Sequence, residues 1–258
     1  MKNSEINIRD PFILRDNGKY YMYGTRAKDF GMKTGGFDVY IGDDLENWSD
    51  PKPVFDSEKA GLNGGSNWAP EVHKYKGKYY MFATFETEKD KRGTYSLVCD
   101  TPDGEFHRNS PKSLTPENRM SLDGTLYIDG EGKPYLIFCH EHIQILNGTV
   151  CRVALNDDLS APIGDPVTLF AGSDSYGRTF IEGERYVTDG PFLYRGKNDR
   201  LYMIWSTCMP SYYQCLSQLI ISEPVYFDLR CSSAASPSFR IRQYASIGFL
   251  AAKHRKSK

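Results

Sequence analysis

Arg9-Asp10-Pro11-Phe12-Ile13-Leu14, then Asn17-Gly18, then Lys19-Tyr20-Tyr21-Met22-Tyr23 spells two short apolar runs around a tight turn. Asn-Gly between such runs is the strongest short-range signal for a two-residue β-hairpin. The same phrase returns three times. Trp68-Ala69-Pro70-Glu71-Val72 leads to Lys76-Gly77-Lys78-Tyr79-Tyr80-Met81-Phe82, and Leu122-Asp123-Gly124-Thr125-Leu126-Tyr127 leads to Gly132-Lys133-Pro134-Tyr135-Leu136-Ile137-Phe138. Asp189-Gly190-Pro191-Phe192-Leu193-Tyr194 leads to Asp199-Arg200-Leu201-Tyr202-Met203-Ile204-Trp205. Pro11, Pro70, Gly124 and Pro191 hold matching places, at steps of 59, 54 and 67 residues. A hairpin repeated at such a period is the signature of a β-propeller, each copy seeding one blade.

Outward from the hairpins, the remaining strands of each blade fall into place. Blade one adds Phe37–Ile41 and closes on Asp44-Leu45-Glu46-Asn47-Trp48, with Trp48 buried; Arg26–Gly36 reads as a rim loop. Blade two adds Tyr95–Cys99 and ends in the Pro-Asp-Gly turn at Pro102–Gly104. Blade three adds Gly148–Leu155, and its Asn156–Ser160 turn echoes Gly42–Glu46 of blade one. Amphipathic helical spacing is missing. The expected class is therefore all-β, a propeller spanning residues 1–206. From residue 207 to 258 the hairpin pattern stops, and Ser, Ala and basic residues take over. That segment is expected to be an incomplete fifth blade or a disordered end, and a change of reading frame near 207–220 would account for it.

With 258 residues, one undivided propeller fits. Aromatic residues make up 14% of the chain, which suits sheets packed face to face. A net charge of −1 gives no pull toward nucleic acid or anionic membranes. The six cysteines show no Cys-x-x-Cys spacing and are expected to be mostly reduced packing residues. No run reaches the roughly 18 apolar residues of a membrane span, and the first residues lack the apolar core of a signal peptide. A cytoplasmic location is the expectation.

Strand starts of a propeller converge on one mouth of the central channel. Asp10, Asp123 and Asp189 stand at, or one residue before, equivalent starts in three blades. Carboxylates gathered in this way repel, their proton affinities separate, and one becomes a donor while another stays an acceptor. Such a pair is what glycosidic hydrolysis requires. Trp68 at a strand start is placed to stack on a sugar ring, whereas Trp205 is placed in the core. His140 and His142, two apart on a strand, would share a face and could meet a metal, but no further ligands accompany them. No metal and no cofactor are expected.

The motifs together resemble the family 43 glycoside hydrolases, five-bladed propellers acting on arabinose- and xylose-containing polysaccharides. The resemblance covers roughly residues 5–206. It implies that Asp10, in Arg9-Asp10-Pro11, is the general base. Asp123, in Leu122-Asp123-Gly124, orients the acid and tunes its proton affinity, and Asp189, in Asp189-Gly190-Pro191, is the general acid. Trp68-Ala69-Pro70-Glu71 matches the second-blade motif, and His140 resembles a site-facing histidine. Arg9, Trp68, Glu71, His140 and Glu141 are thus expected substrate contacts. Two departures stand out. The family usually has Glu where Asp189 stands, with Glu182, Glu184 and Glu141 as nearby substitutes. The blade-five histidine that holds a metal through water has no counterpart.

The expected function is inverting hydrolysis of arabinofuranosyl or xylosyl linkages, with carbohydrate as the partner and the oligomeric state open. The alternative from another class is a propeller that binds glycans without cutting them. An interaction propeller of the WD or kelch kind is disfavoured by the lack of Gly-His and Trp-Asp pairs.

Overall fold

The computed structural model describes residues 1–87, 91–174, 185–197, 199–209 and 212–221. Its strands in chain order are β1 (Ile8–Asp16), β2 (Lys19–Arg26), β3 (Gly36–Gly42), β4 (Lys52–Asp56), β5 (Gly65–Tyr75), β6 (Lys78–Glu86), β7 (Gly93–Cys99) and β8 (His107–Arg108). They continue as β9 (Ser121–Ile128), β10 (Pro134–His140), β11 (Thr149–Leu155), β12 (Pro162–Ala171), β13 (Asp189–Arg195), β14 (Leu201–Met209) and β15 (Tyr212–Ile221). Four antiparallel meanders result, β1-β2-β3-β4, β5-β6-β7-β8, β9-β10-β11-β12 and β13-β14-β15. Their first strands lie side by side, β1 against β5, β5 against β9 and β9 against β13. The four sheets are the blades of a propeller, and the repeated hairpins are their inner strands.

Local chemistry dictates the hairpins. Asn17 and Gly18 both take positive φ, 47° and 79°, as a two-residue turn between Asp16 and Lys19 demands. Lys76 and Gly77 repeat it at 46° and 82°. Period-two alternation then supplies two faces to each middle strand. On β6, Tyr79, Met81, Ala83 and Phe85 pack toward blade one with Tyr23, Phe37 and Phe55, while Tyr80 and Phe82 pack toward blade three with Leu136 and Phe138. On β10 the alternate residues Ile137 and Cys139 face blade four, meeting Leu201 and Met203. Trp205 is buried against Phe170, as expected of a core tryptophan. Trp48 is buried too; its indole N–H donates to Asn3 Oδ1 at 2.6 Å, which ties the first residues over blade one.

Two sequence expectations need correction. Blade four does not stop at residue 206, because β14 runs to Met209 and pairs with β15, Thr207 opposite Cys215 and Leu201 opposite Ile221. An outer strand is recruited through its neighbour's backbone, so it need not carry the motif of the inner hairpin. His140 and His142 do not share a strand face either: β10 ends at His140, and His142 opens a four-residue helix, His142–Ile145. Residues 222–258, the larger part of the 207–258 segment expected to be an incomplete fifth blade or a disordered end, lie outside the described residues, as do Glu182 and Glu184. Cys99, Cys139 and Cys151 are free thiols.

Candidate active site

The four inner hairpins share one irregularity in register. Arg9 pairs with Thr25 and Phe12 with Tyr23, leaving two residues of β1 opposite one of β2. The same bulge sets Trp68 and Glu71 against Thr84 and Phe82, Leu122 and Thr125 against Cys139 and Ile137, and Asp189 and Phe192 against Ser206 and Ile204. In each bulge the first extra residue is left-handed: Asp10 at φ 52°, Ala69 at 46°, Asp123 at 54° and Gly190 at 52°. A bulge bends its strand and re-aims a side chain. Here it turns Asp10 and Asp123, and Asp189 one position earlier, toward the same mouth.

That mouth is a cleft of about 450 Å³ lined by Asp10, Asp123 and Asp189 among others. Asp10 is exposed, while Asp123 and Asp189 are half-buried. Asp123 Oδ2 accepts a hydrogen bond from the Gly190 N–H at 3.0 Å. Burial, and after it the neighbouring Asp189 carboxylate, push the Asp123 carboxyl well above the usual carboxylate range; Asp10 and Glu71 add to the push. A proton is therefore held more tightly there than on an ordinary aspartate.

Aromatic and cationic side chains form one wall. The Arg9 guanidinium lies 3.9 Å over the Phe30 ring, Phe30 stacks on Trp68 at 5.6 Å, and the Arg92 guanidinium lies 4.2 Å over the Trp68 ring. Arg92 Nη1 reaches both oxygens of Glu141, at 2.7 and 2.8 Å. Glu141 is buried, and burial raises its carboxyl above the ordinary value despite Arg92.

Of the expected substrate contacts, Arg9, Trp68, Glu71 and Glu141 line the cleft. Glu71 meets His73 at 3.2 Å, and Phe12 packs against both His73 and Phe192. His140 is not among the lining residues; its Nε2 contacts Gln144 Oε1 at 2.9 Å. Phe30, Arg92, Ile143 and Ser206 line the cleft without having been singled out in the sequence, and His142, read there only as a possible metal contact, lines it too. Among the described residues no three His, Cys, Asp or Glu side chains are grouped to hold a metal ion.

A propeller whose strand-start aspartates share one cleft with an aromatic wall is built like a carbohydrate-processing propeller. The chain belongs to the family described as Glycosyl hydrolases family 43, whose model matches residues 4–221. Among solved structures, the endo-arabinase from Bacteroides thetaiotaomicron VPI-5482 is 34% identical, with a TM-score of 0.74 over 85% of this chain and 77% of that one. A thermostable family-43 glycoside hydrolase shares the fold at 24% identity and a TM-score of 0.70, over 84% of this chain and 69% of that one. Curated relatives include the extracellular endo-alpha-(1->5)-L-arabinanase 1 of Bacillus subtilis (strain 168), 23% identical over 142 residues, and a xylosidase/arabinosidase of Bacteroides ovatus, 28% identical over 144 residues. Each alignment takes in 51% of this chain; the chain spans 42% and 43% of those relatives' lengths.

Proposed function

We propose that this propeller hydrolyses glycosidic bonds in arabinose- or xylose-containing polysaccharides or oligosaccharides, by acid–base catalysis with inversion. One observation carries the reading: Asp10, Asp123 and Asp189, each from a different blade, line one cleft. Asp10, exposed to solvent, takes the proton of the attacking water. Asp189 protonates the departing oxygen from the other side, and Asp123, tied to Gly190, holds the acid's surroundings fixed. An inverting site needs the two working carboxyls about 6.5–9.5 Å apart, so that water fits between sugar and base. Phe30, exposed beside Trp68 in the cleft wall, offers apolar contact to a sugar. An endo-arabinase and xylosidase/arabinosidases among the relatives support the substrate class.

Asp189 is one methylene shorter than glutamate, a loss of reach of about 1.5 Å. That observation favours a second reading, a glycan-binding propeller with little turnover. Release of 4-nitrophenol from arabinofuranoside and xyloside substrates, with Asp10→Asn as control, decides between them. Asp10-dependent release with inverted configuration of the first-formed sugar is expected. Binding of arabinan or xylan oligosaccharides with no Asp10-dependent turnover would establish the binding propeller instead.

A further inference from the structure

We infer that Thr25 and Thr84 are positioning residues, hydroxyls on the middle strand of one blade that hold the next blade's bulge and set the aim of Asp10 and Asp123. The two occupy the same register, opposite Arg9 and Trp68. Both are buried, at 1% and 0% exposure, so water does not compete for their hydroxyls. Thr25 Oγ1 accepts from the Ala69 N–H at 2.8 Å, and Thr84 Oγ1 accepts from the Asp123 N–H at 2.9 Å. In both cases the N–H belongs to the left-handed residue of the next blade's bulge. A non-glycine residue persists in that conformation only where its surroundings hold it. The threonines supply part of that hold.

Thr25 has a second task. With a lone pair engaged by Ala69, its O–H is left to donate, and Asp10 Oδ2 stands 3.3 Å away. A β-branched side chain has few χ1 choices, so the hydroxyl is stiffly aimed. The contact is long for an O–H donor, and such contacts tighten when substrate fills a site. Thr84 acts through the backbone of Asp123, whose carboxylate is fixed at its other end by Gly190. In blade three the matching position is Cys139, buried and facing blade four. There the bulge N–H of Gly190 goes to Asp123 itself, which makes the aspartate the link between the blades.

The kinetic part of the test rests on the proposed hydrolysis; the structural part does not. Thr25→Val and Thr84→Val keep the shape and delete the hydroxyl, while Thr25→Ser and Thr84→Ser keep the hydroxyl. The valine variants are expected to lose about tenfold or more in kcat, as small misplacements of catalytic groups do. KM should stay within about twofold, thermal unfolding should stay cooperative, and serine should restore most of the rate. Crystal structures should show the Asp10 carboxylate turned in Thr25→Val and the Asp123 bulge shifted in Thr84→Val, with both restored by serine. If a valine variant does not fold, alanine replaces it. Unmoved aspartates in the valine structures, valine rates within twofold of the parent, or serine variants as slow as valine ones would each overturn the inference. Should the unaltered protein release no sugar, the hydrolase reading falls while the crystal structures still decide this one.

Discussion

Asp123 and Gly190 are joined across two blades by a 3.0 Å hydrogen bond from backbone N–H to carboxylate oxygen. The bond favours the charged form of Asp123, but burial and the nearby Asp189 outweigh it and raise the carboxyl's proton affinity. The folded protein thus binds a proton that the unfolded chain has already released, between the ordinary aspartate range and the raised value. Stability falls as pH rises through that window. Asp123→Asn keeps an oxygen for Gly190 and removes the charge. Its melting temperature should exceed that of the parent at pH 8 and converge with it toward pH 4, by differential scanning calorimetry. Its kcat should drop about a hundredfold or more, as loss of an acid–base partner does.

Asp189 occupies the place where a longer acid would reach further into the cleft. Asp189→Glu should therefore raise kcat on unactivated oligosaccharides, by up to about a hundredfold if reach alone limits the rate. Substrates with 4-nitrophenol as leaving group need little protonation and should gain much less. Comparing the two substrate types on parent and variant checks this. An equal gain on both would show that reach is not what the methylene changes.

The wall residues make a separable prediction. Phe30 is exposed at 47% and sits between Arg9 and Trp68, touching little that the core depends on. Phe30→Ala should raise KM several-fold, the scale of one aromatic contact of about 0.5–1.5 kcal/mol, and leave kcat and the melting temperature nearly unchanged. Initial-rate kinetics with a linear oligosaccharide series reads it directly.

The blades were legible because the inner hairpin is written four times, and the aspartates because they ride on it at, or one residue before, the same place. The positions opposite the bulges were open to alignment, though the motif gave them no role: Tyr-Met-Tyr-Gly-Thr25, Tyr-Met-Phe-Ala-Thr84, Tyr-Leu-Ile-Phe-Cys139 and Tyr-Met-Ile-Trp-Ser206 share one register. Phe30 and Arg92 were not. Phe30 lies in an irregular rim segment and Arg92 just ahead of β7, where no periodicity says which way a side chain turns. β15 escaped for a related reason, since the outer strand of a blade answers to its neighbour's backbone and carries no motif of its own. His140 was placed in the site by likeness of motif, but β10 ends on it and aims it at Gln144.

Arg92 carries a prediction about stability. It is the charge partner of Glu141, a side chain only 4% exposed, and it also donates from Nε to Ser66 at 3.0 Å. Removing one member of a buried pair strands the other, at a cost of about 3–5 kcal/mol. Arg92→Met should accordingly lower the melting temperature by roughly 6–12 °C. The sign of its pH dependence follows from Glu141, whose carboxyl is already raised by burial while Arg92 pulls it down. Without Arg92 the carboxyl rises further, so the variant carries the cost of a buried charge at pH 8 and relieves it by protonation at pH 5. The deficit against the parent should be larger at pH 8 than at pH 5, and adding Glu141→Gln should recover most of it. A deficit that is the same at both pH values would mean that Arg92 acts by packing on Trp68 rather than by pairing with Glu141.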